Sequence, residues 1–226
     1  MTSVRAQAEA LSDRLTSSPG QSTSLADAAI QCAHELIEAG DSRVALDLLS
    51  RLDISSAGTR RSKIQLAISR ALLVSGRFEE GLQTARLGLA DGDNVPVWDE
   101  DSCGLEIVTA ICLRETNRIT ESEGVLRSLR SGLLRKSDSK NLAWCTHALA
   151  AARHMAGDLA EARQLAIDAL VSARRSGSRY FEVHSLLTLS WLRFCLRTVA
   201  SRKLRPTRHG RRGWEGTADA PLRAHG

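Results

Sequence analysis

Aromatic side chains make up only 4% of this chain of 226 residues. Ala and Leu dominate instead, a composition that suits closely packed helices. No stretch reaches the ~18 apolar residues that a membrane-spanning helix needs. Residues 1–20 contain Glu9 and Asp13 and no apolar core, which argues against a secretory signal. There is no C-x-x-C pair. The five cysteines (Cys32, Cys103, Cys112, Cys145 and Cys195) form an odd set, four in predicted helices as small apolar residues and Cys103 near a helix start. A disulfide framework is therefore not expected, and a reducing cytoplasm is. Also missing are the G-x-x-x-x-G-K-[ST] phosphate loop, the G-x-G-x-x-G fingerprint, the G-x-S-x-G elbow and any catalytic cysteine signature. No catalytic residue, cofactor or metal is expected on these grounds.

The formal charge of +5 belongs to one end of the chain. Residues 193–226 hold nine of the 31 basic residues and two of the 26 acids, which leaves 22 against 24 in residues 1–192. The body is nearly neutral, and only the tail is basic.

What the sequence does have is a repeat. Gly40, Gly76, Asn117 and Gly157 are spaced 36, 41 and 40 residues apart. Related phrases follow three of them: Gly76-Arg-Phe-Glu-Glu80-Gly81, Asn117-Arg-Ile-Thr-Glu121-Ser122 and Gly157-Asp-Leu-Ala-Glu161-Ala162. The first unit, Gly40-Asp-Ser-Arg-Val44-Ala45, is looser but keeps a small residue five places on. Small side chains at Ala45, Gly81, Ser122 and Ala162 would let paired helices approach closely. A period of roughly 34–45 residues built on helix–turn–helix units marks an α-solenoid. The expected fold is all-α: a right-handed α-solenoid of antiparallel helical hairpins at about 25–52, 60–90, 100–131 and 140–175.

Several local features fit this scheme. Val4, Ala8, Leu11 and Leu15 share one face of a first helix, and Ser24 is expected to cap the next. Asp158 and Glu161 have capping-box spacing. A fifth unit begins near Arg179, but no turn phrase occurs near position 197, where the period would place it. The expected organisation is an N-terminal helix and linker (1–23), a repeat domain (24–195) and a basic tail without stable structure (196–226).

These repeats resemble the tetratricopeptide type. The Ala-Gly-Asp-Leu-Ala-Glu-Ala turn and the long period look most like the helical-repeat region of large bacterial LuxR-type, ATP-dependent transcriptional regulators, over roughly residues 24–192. In that family the repeats lie between an NTPase module and a DNA-binding helix-turn-helix and receive an inducer or a partner. Neither flanking module is legible here, so ATPase and promoter-binding activities are not carried over. The resemblance implies a non-catalytic interaction or sensor module, a truncated part of such a regulator; a free-standing adaptor is the alternative. Its expected partner is a protein, a peptide or a small inducer on the concave surface, with no membrane.

Other clusters are weaker. His34-Glu35-Leu-Ile-Glu38 has the spacing of a zinc-protease helix, but Glu38 stands where the second histidine belongs. The expectation is an ordinary solvated helix face. Cys145 and His147 point different ways on one helix, while His147 and His154 share a face without a third ligand. The acidic run Asp91, Asp93, Asp99 and Asp101 fails the calcium-loop pattern and reads as an inter-repeat loop. In the tail, Arg202, Lys203, Arg205, Arg208, Arg211 and Arg212 with Trp214 could grip phosphates. The competing reading is a frameshift: Arg outnumbers Lys 27 to 4, and GC-rich DNA read out of frame yields Arg, Gly, Pro and Ala. Finally, Val183, Leu186, Leu189, Leu192, Leu196 and Val199 form one stripe with no helix to cover it, so self-association or binding of a chaperone through this end is expected.

Overall fold

The computed structural model describes residues 2–17, 23–54, 60–90, 99–136 and 138–203, with side chains in the last helix given as far as residue 198. The described residues form ten α-helices and no strand: α1 (Thr2–Ser17), α2 (Thr23–Glu38), α3 (Ser42–Leu49), α4 (Arg61–Val74), α5 (Phe78–Ala90), α6 (Glu100–Glu115), α7 (Ile119–Lys136), α8 (Ser139–Met155), α9 (Leu159–Ser176) and α10 (Arg179–Lys203). Asp91 and Asp93 of the acidic run, and tail residues from 204 on, lie outside the described residues.

Each hairpin turns on a residue with left-handed backbone. Gly40, Gly76, Asn117 and Gly157 have φ of 84°, 74°, 63° and 86°. The same pair of hydrogen bonds closes each turn. In the first, Gly40 N–H donates to Ile37 O (3.1 Å) and Asp41 N–H to Leu36 O (2.8 Å); in the last, Gly157 donates to His154 O and Asp158 to Arg153 O, both at 3.0 Å. This is the Schellman closure, and its left-handed position costs glycine nothing and asparagine little. Gly177 (φ 68°) repeats it between α9 and α10.

The Arg-x-x-Glu part of the turn phrase has its own physical content. Arg77 forks onto Glu80 (2.7 and 2.5 Å) and Arg118 onto Glu121 (2.8 and 2.6 Å), tying the first turn of α5 and of α7. In the fourth unit Asp158 replaces that arginine and caps α9 directly, its Oδ1 accepting from Glu161 N–H at 3.0 Å. The reciprocal half of the capping box is not made. The Glu161 carboxylate goes instead to Arg153 and Arg127, because two cations outcompete one backbone amide. Ser24 does not cap α2, since that helix has already begun at Thr23.

Each helix packs on its neighbours in sequence, and the first helix of each hairpin also packs on the first helix of the next. Second helices α3, α5, α7 and α9 have no such close backbone contact among the described residues. They are spanned by long side chains, as in Arg127–Glu161 (2.8 Å) and Arg130–Asp168 (2.9 Å) between α7 and α9. An inner row packed more tightly than the outer row bends the stack toward the first helices.

Burial follows this arrangement. There is no single core, only overlapping clusters: α1–α4, then α4–α8, then α6–α10. Leu129, Leu133 and Leu149 are each about 1% exposed, and burying such a side chain contributes roughly 1.5–3 kcal/mol. Ala8, Leu11 and Leu15 of α1 belong to the first cluster. Ala45, Ser122 and Ala162 are fully buried, and Gly81 lies so near α6 that an added Cβ would sit 3.2 Å from Cys112 Sγ.

Two glycines set a test of this packing. A Cβ on Gly88 of α5 would meet Leu105 Cδ1 at 2.8 Å and Gln65 Cβ at 2.9 Å, whereas one on Gly124 of α7 would meet nothing. Both are helical, so alanine gains up to about 1 kcal/mol of propensity at each. Overpacking at 88 outweighs that gain. We expect Gly88→Ala to lose about 1–2 kcal/mol in urea unfolding and Gly124→Ala to gain up to about 1 kcal/mol.

Candidate interaction groove

The inward bend leaves a groove walled by the first helices of all five units. Its larger lobe, about 470 Å³, takes side chains from α2, α4, α6, α8 and α10. A second lobe of about 200 Å³ continues from it along α4, α6, α8 and α10, with Ile37 of α2 at its edge. No second helix contributes to either lobe. Arg70, Trp144, Tyr180 and Phe181 border both, so they form the floor where the lobes meet.

Three of the chain's eight aromatic side chains meet here. Trp144 stacks on Phe181 at 5.9 Å; the sole tyrosine, Tyr180, meets Phe181 edge-on at 5.1 Å and tilts over His184 at 4.4 Å; His184 meets His147 at 5.9 Å. The Arg70 guanidinium lies over the Trp144 ring, 5.3 Å from its centroid. Among the described residues no carboxylate reaches Arg70. Burial lowers its pKa, opposed by Tyr180 and then Glu38. Its partner is thus an aromatic face rather than a carboxylate, an arrangement that offsets only part of the cost of desolvating the cation. Its neighbours are already neutralised: Lys140 holds Glu100 at 2.6 Å, Lys63 holds Asp27 at 3.4 Å and Arg114 holds Glu115 at 2.5 Å. Nothing in the spacing of Arg70, Trp144 and Tyr180 flags them, because they come from three different units; only the solenoid brings them together.

His34 is not on a solvated helix face, as the sequence suggested. It is half-buried in the larger lobe, and its pKa is pushed down to about 4 by burial first, then by Arg70, Lys140 and Lys63. Glu35 and Glu38 line the same lobe and remain exposed. Across the floor His147 is likewise pushed down to about 4, by burial and then by His184 and Arg114. Cys145 turns away into the core, where its thiol donates to Leu126 O at 3.3 Å and burial pushes it up to about 12. His154 sits apart from both, 3.9 Å from Cys195 Sγ. No three potential metal ligands converge among the described residues. All five cysteines are free thiols. Asp99 caps α6 by accepting from Ser102 N–H at 2.7 Å, while Asp101 faces the larger lobe with its pKa raised by burial. No helix among the described residues is long and apolar enough to cross a membrane.

The two half-buried histidines, His34 and His147, give the groove a pH signature. His147 stays neutral in the folded chain down to about pH 4, against 6.5 for a free imidazole. Between those values the unfolded chain binds more protons, so stability falls as pH drops through that window. Replacing His147 with asparagine removes its share. We expect His147→Asn to lose less stability than the parent between pH 7 and pH 4.5, by about 1–3 kcal/mol, in urea unfolding at the two pH values.

No family model and no curated protein matches the sequence. Solved structures do. BtubC (BKLC) from P. vanneervenii superposes with a TM-score of 0.55 over 97% of each chain, at 14% identity. A putative kinesin light chain from Podosopora anserina with nearly identical TPR-like repeats matches with a TM-score of 0.53 over 80% of this chain and 97% of that one, again at 14% identity. A single-substitution form of that kinesin light chain matches with the same TM-score over 78% of this chain and 96% of that one. At this identity the likeness is one of fold: the chain is a TPR-like helical-repeat solenoid.

Proposed function

We propose that this protein is a non-catalytic interaction module that takes a peptide or an exposed segment of a partner protein along its concave groove. The observation that carries this reading is the Arg70–Trp144 pair at the junction of the two lobes. A half-buried cation stacked on an aromatic ring, flanked by Tyr180 and Phe181, is the kind of rigid anchor that dominates binding at protein interfaces. The groove offers no nucleophile beside a general base and no converging metal ligands among its described side chains, but it does offer an extended surface of alternating charge and apolar floor. Five reduced thiols suit a cytoplasmic setting. The turn phrases support an origin in a LuxR-type regulator; a phosphate loop and a helix-turn-helix translated from the flanking DNA would establish that origin, and nearby stop codons on both sides would replace it with a free-standing adaptor.

Selection from a random peptide library on the immobilised full chain tests the groove. Peptides that bind it should lose at least about tenfold in affinity with Arg70→Met, measured by calorimetry on a variant whose helicity matches the parent. Selected peptides that bind Arg70→Met and Trp144→Ala as well as the parent would place their site elsewhere and remove this reading.

A further inference from the structure

α10 repeats α8 at an offset of 40 residues, and the register is visible in their burial. Asn141, Cys145, Leu149 and Ala152 are buried on α8; their counterparts Phe181, Ser185 and Leu192 are buried on α10, with Leu189 packed against the same cluster. Leu192, expected in an uncovered stripe, is in fact fully buried. The units then part company on the next face. Ala143, Thr146 and Ala150 of α8 are at most 1% exposed in the angle between α7 and α9, but their counterparts Val183 and Leu186 are 48% and 43% exposed, and Ser190 is exposed too. What covers α8 there is α9. No described helix covers α10 in the same way, and a groove of about 640 Å³ opens between α9 and α10, floored by Ile167, Leu186, Leu189 and Leu196.

The charges at this groove differ from those of the fourth unit at three positions, one acid being reversed and two lost. On α8, Arg153 is held by three carboxylates: Glu123 of α7 at 3.0 Å, Asp158 at 2.7 Å and Glu161 of α9 at 2.6 Å. Forty residues on, Arg153 becomes Arg193, but Glu123 becomes Arg163, and Asp158 and Glu161 become Thr198 and Ser201. Arg163, Arg193 and Arg197 all rim the groove, and no acid does. Among the described residues none of the three has an ion-pair partner.

The geometry points to an acidic amphipathic helix of a partner protein as the occupant, docking between α9 and α10 as α9 docks on α8 and completing the fifth hairpin in trans. Such a helix supplies apolar side chains to the Leu186–Leu196 floor and, in its first turn, the carboxylates that Arg193, Arg163 and Arg197 lack. A second copy of this chain would bring the same three arginines against each other. Residues 204–226 carry five arginines against two acids, so they do not match the charge of the site.

The protein provides its own probe. A fluorescent peptide of residues 158–176 is the helix that fills this position one unit earlier, with Asp158 and Glu161 in place. Titrated into the full chain, it should bind at least tenfold more tightly than the same peptide carrying Asp158→Lys and Glu161→Lys. In chain carrying the exposed substitution Arg193→Glu, the order of the two peptides should reverse. Equal binding of both peptides, binding of neither, or an unchanged order in Arg193→Glu would each overturn the proposal. Hydroxyl-radical footprinting of Leu186 and Leu196 in peptide-free chain decides against the other occupants. We expect full reactivity at every concentration. Protection that grows with concentration would put a second copy in the groove, protection independent of concentration would put residues 204–226 there, and either result overturns the proposal.

Discussion

One backbone constraint recurs at each hairpin and the rest of the molecule hangs from it: a left-handed residue that ends the first helix and reverses the chain. With φ between 63° and 86° at residues 40, 76, 117 and 157, the same two hydrogen bonds close each turn and aim the second helix back along the first. The small residue five places on then lies at the crossing point, where Ala45, Ser122 and Ala162 are fully buried. A larger side chain there would push the pair apart and change the angle that every later unit inherits. Because the backbone of each helix packs only on helices one or two places away in the chain, such an error would propagate rather than average out. The curvature, and with it the groove, is therefore a sum of local turn geometries rather than a property of any one core.

That dependence decides what can be read from the sequence. The turns are legible because left-handed backbone restricts residue choice to glycine and asparagine, and because Arg77–Glu80 and Arg118–Glu121 leave a fixed three-residue spacing. Helix bounds follow to within a few residues, except where a cap-like residue such as Ser24 lies inside its helix. The groove floor is not legible. Arg70, Trp144 and Tyr180 are separated by 74 and 36 positions, and no local period links them. They meet only because first helices from three units share the inner wall. Leu192 escapes for a related reason: a stripe on one helix does not say which part of it faces the preceding hairpin and which part faces outward.

Electrostatics divides the two faces of the solenoid. On the outer row, ion pairs such as Arg127–Glu161 and Arg130–Asp168 bridge second helices that do not touch, so charge there serves the stack itself. These pairs are partly exposed, and their individual contributions are small. On the inner row Lys140–Glu100 and Lys63–Asp27 are paired as well, whereas Arg70 has an aromatic ring and, among the described residues, no carboxylate. The cost of burying that cation is offset in part by the face of Trp144.

The fifth unit extends the same logic to the end of the repeat array. Arg153 shows what a satisfied position looks like: a guanidinium at a three-helix junction with a carboxylate from each side. Arg193 occupies the equivalent junction with Arg163 where Glu123 would stand, and two like charges beside an apolar floor repel one another instead of closing it. Exposed leucines alone would attract any apolar surface, another copy of the chain included. Leucines framed by three arginines discriminate, because a partner must bring negative charge in the right turn of a helix to gain from the contact. The replacement of one acid by arginine and the loss of two others thus turn the exposed face of α10 from an indiscriminate apolar surface into one with a preference.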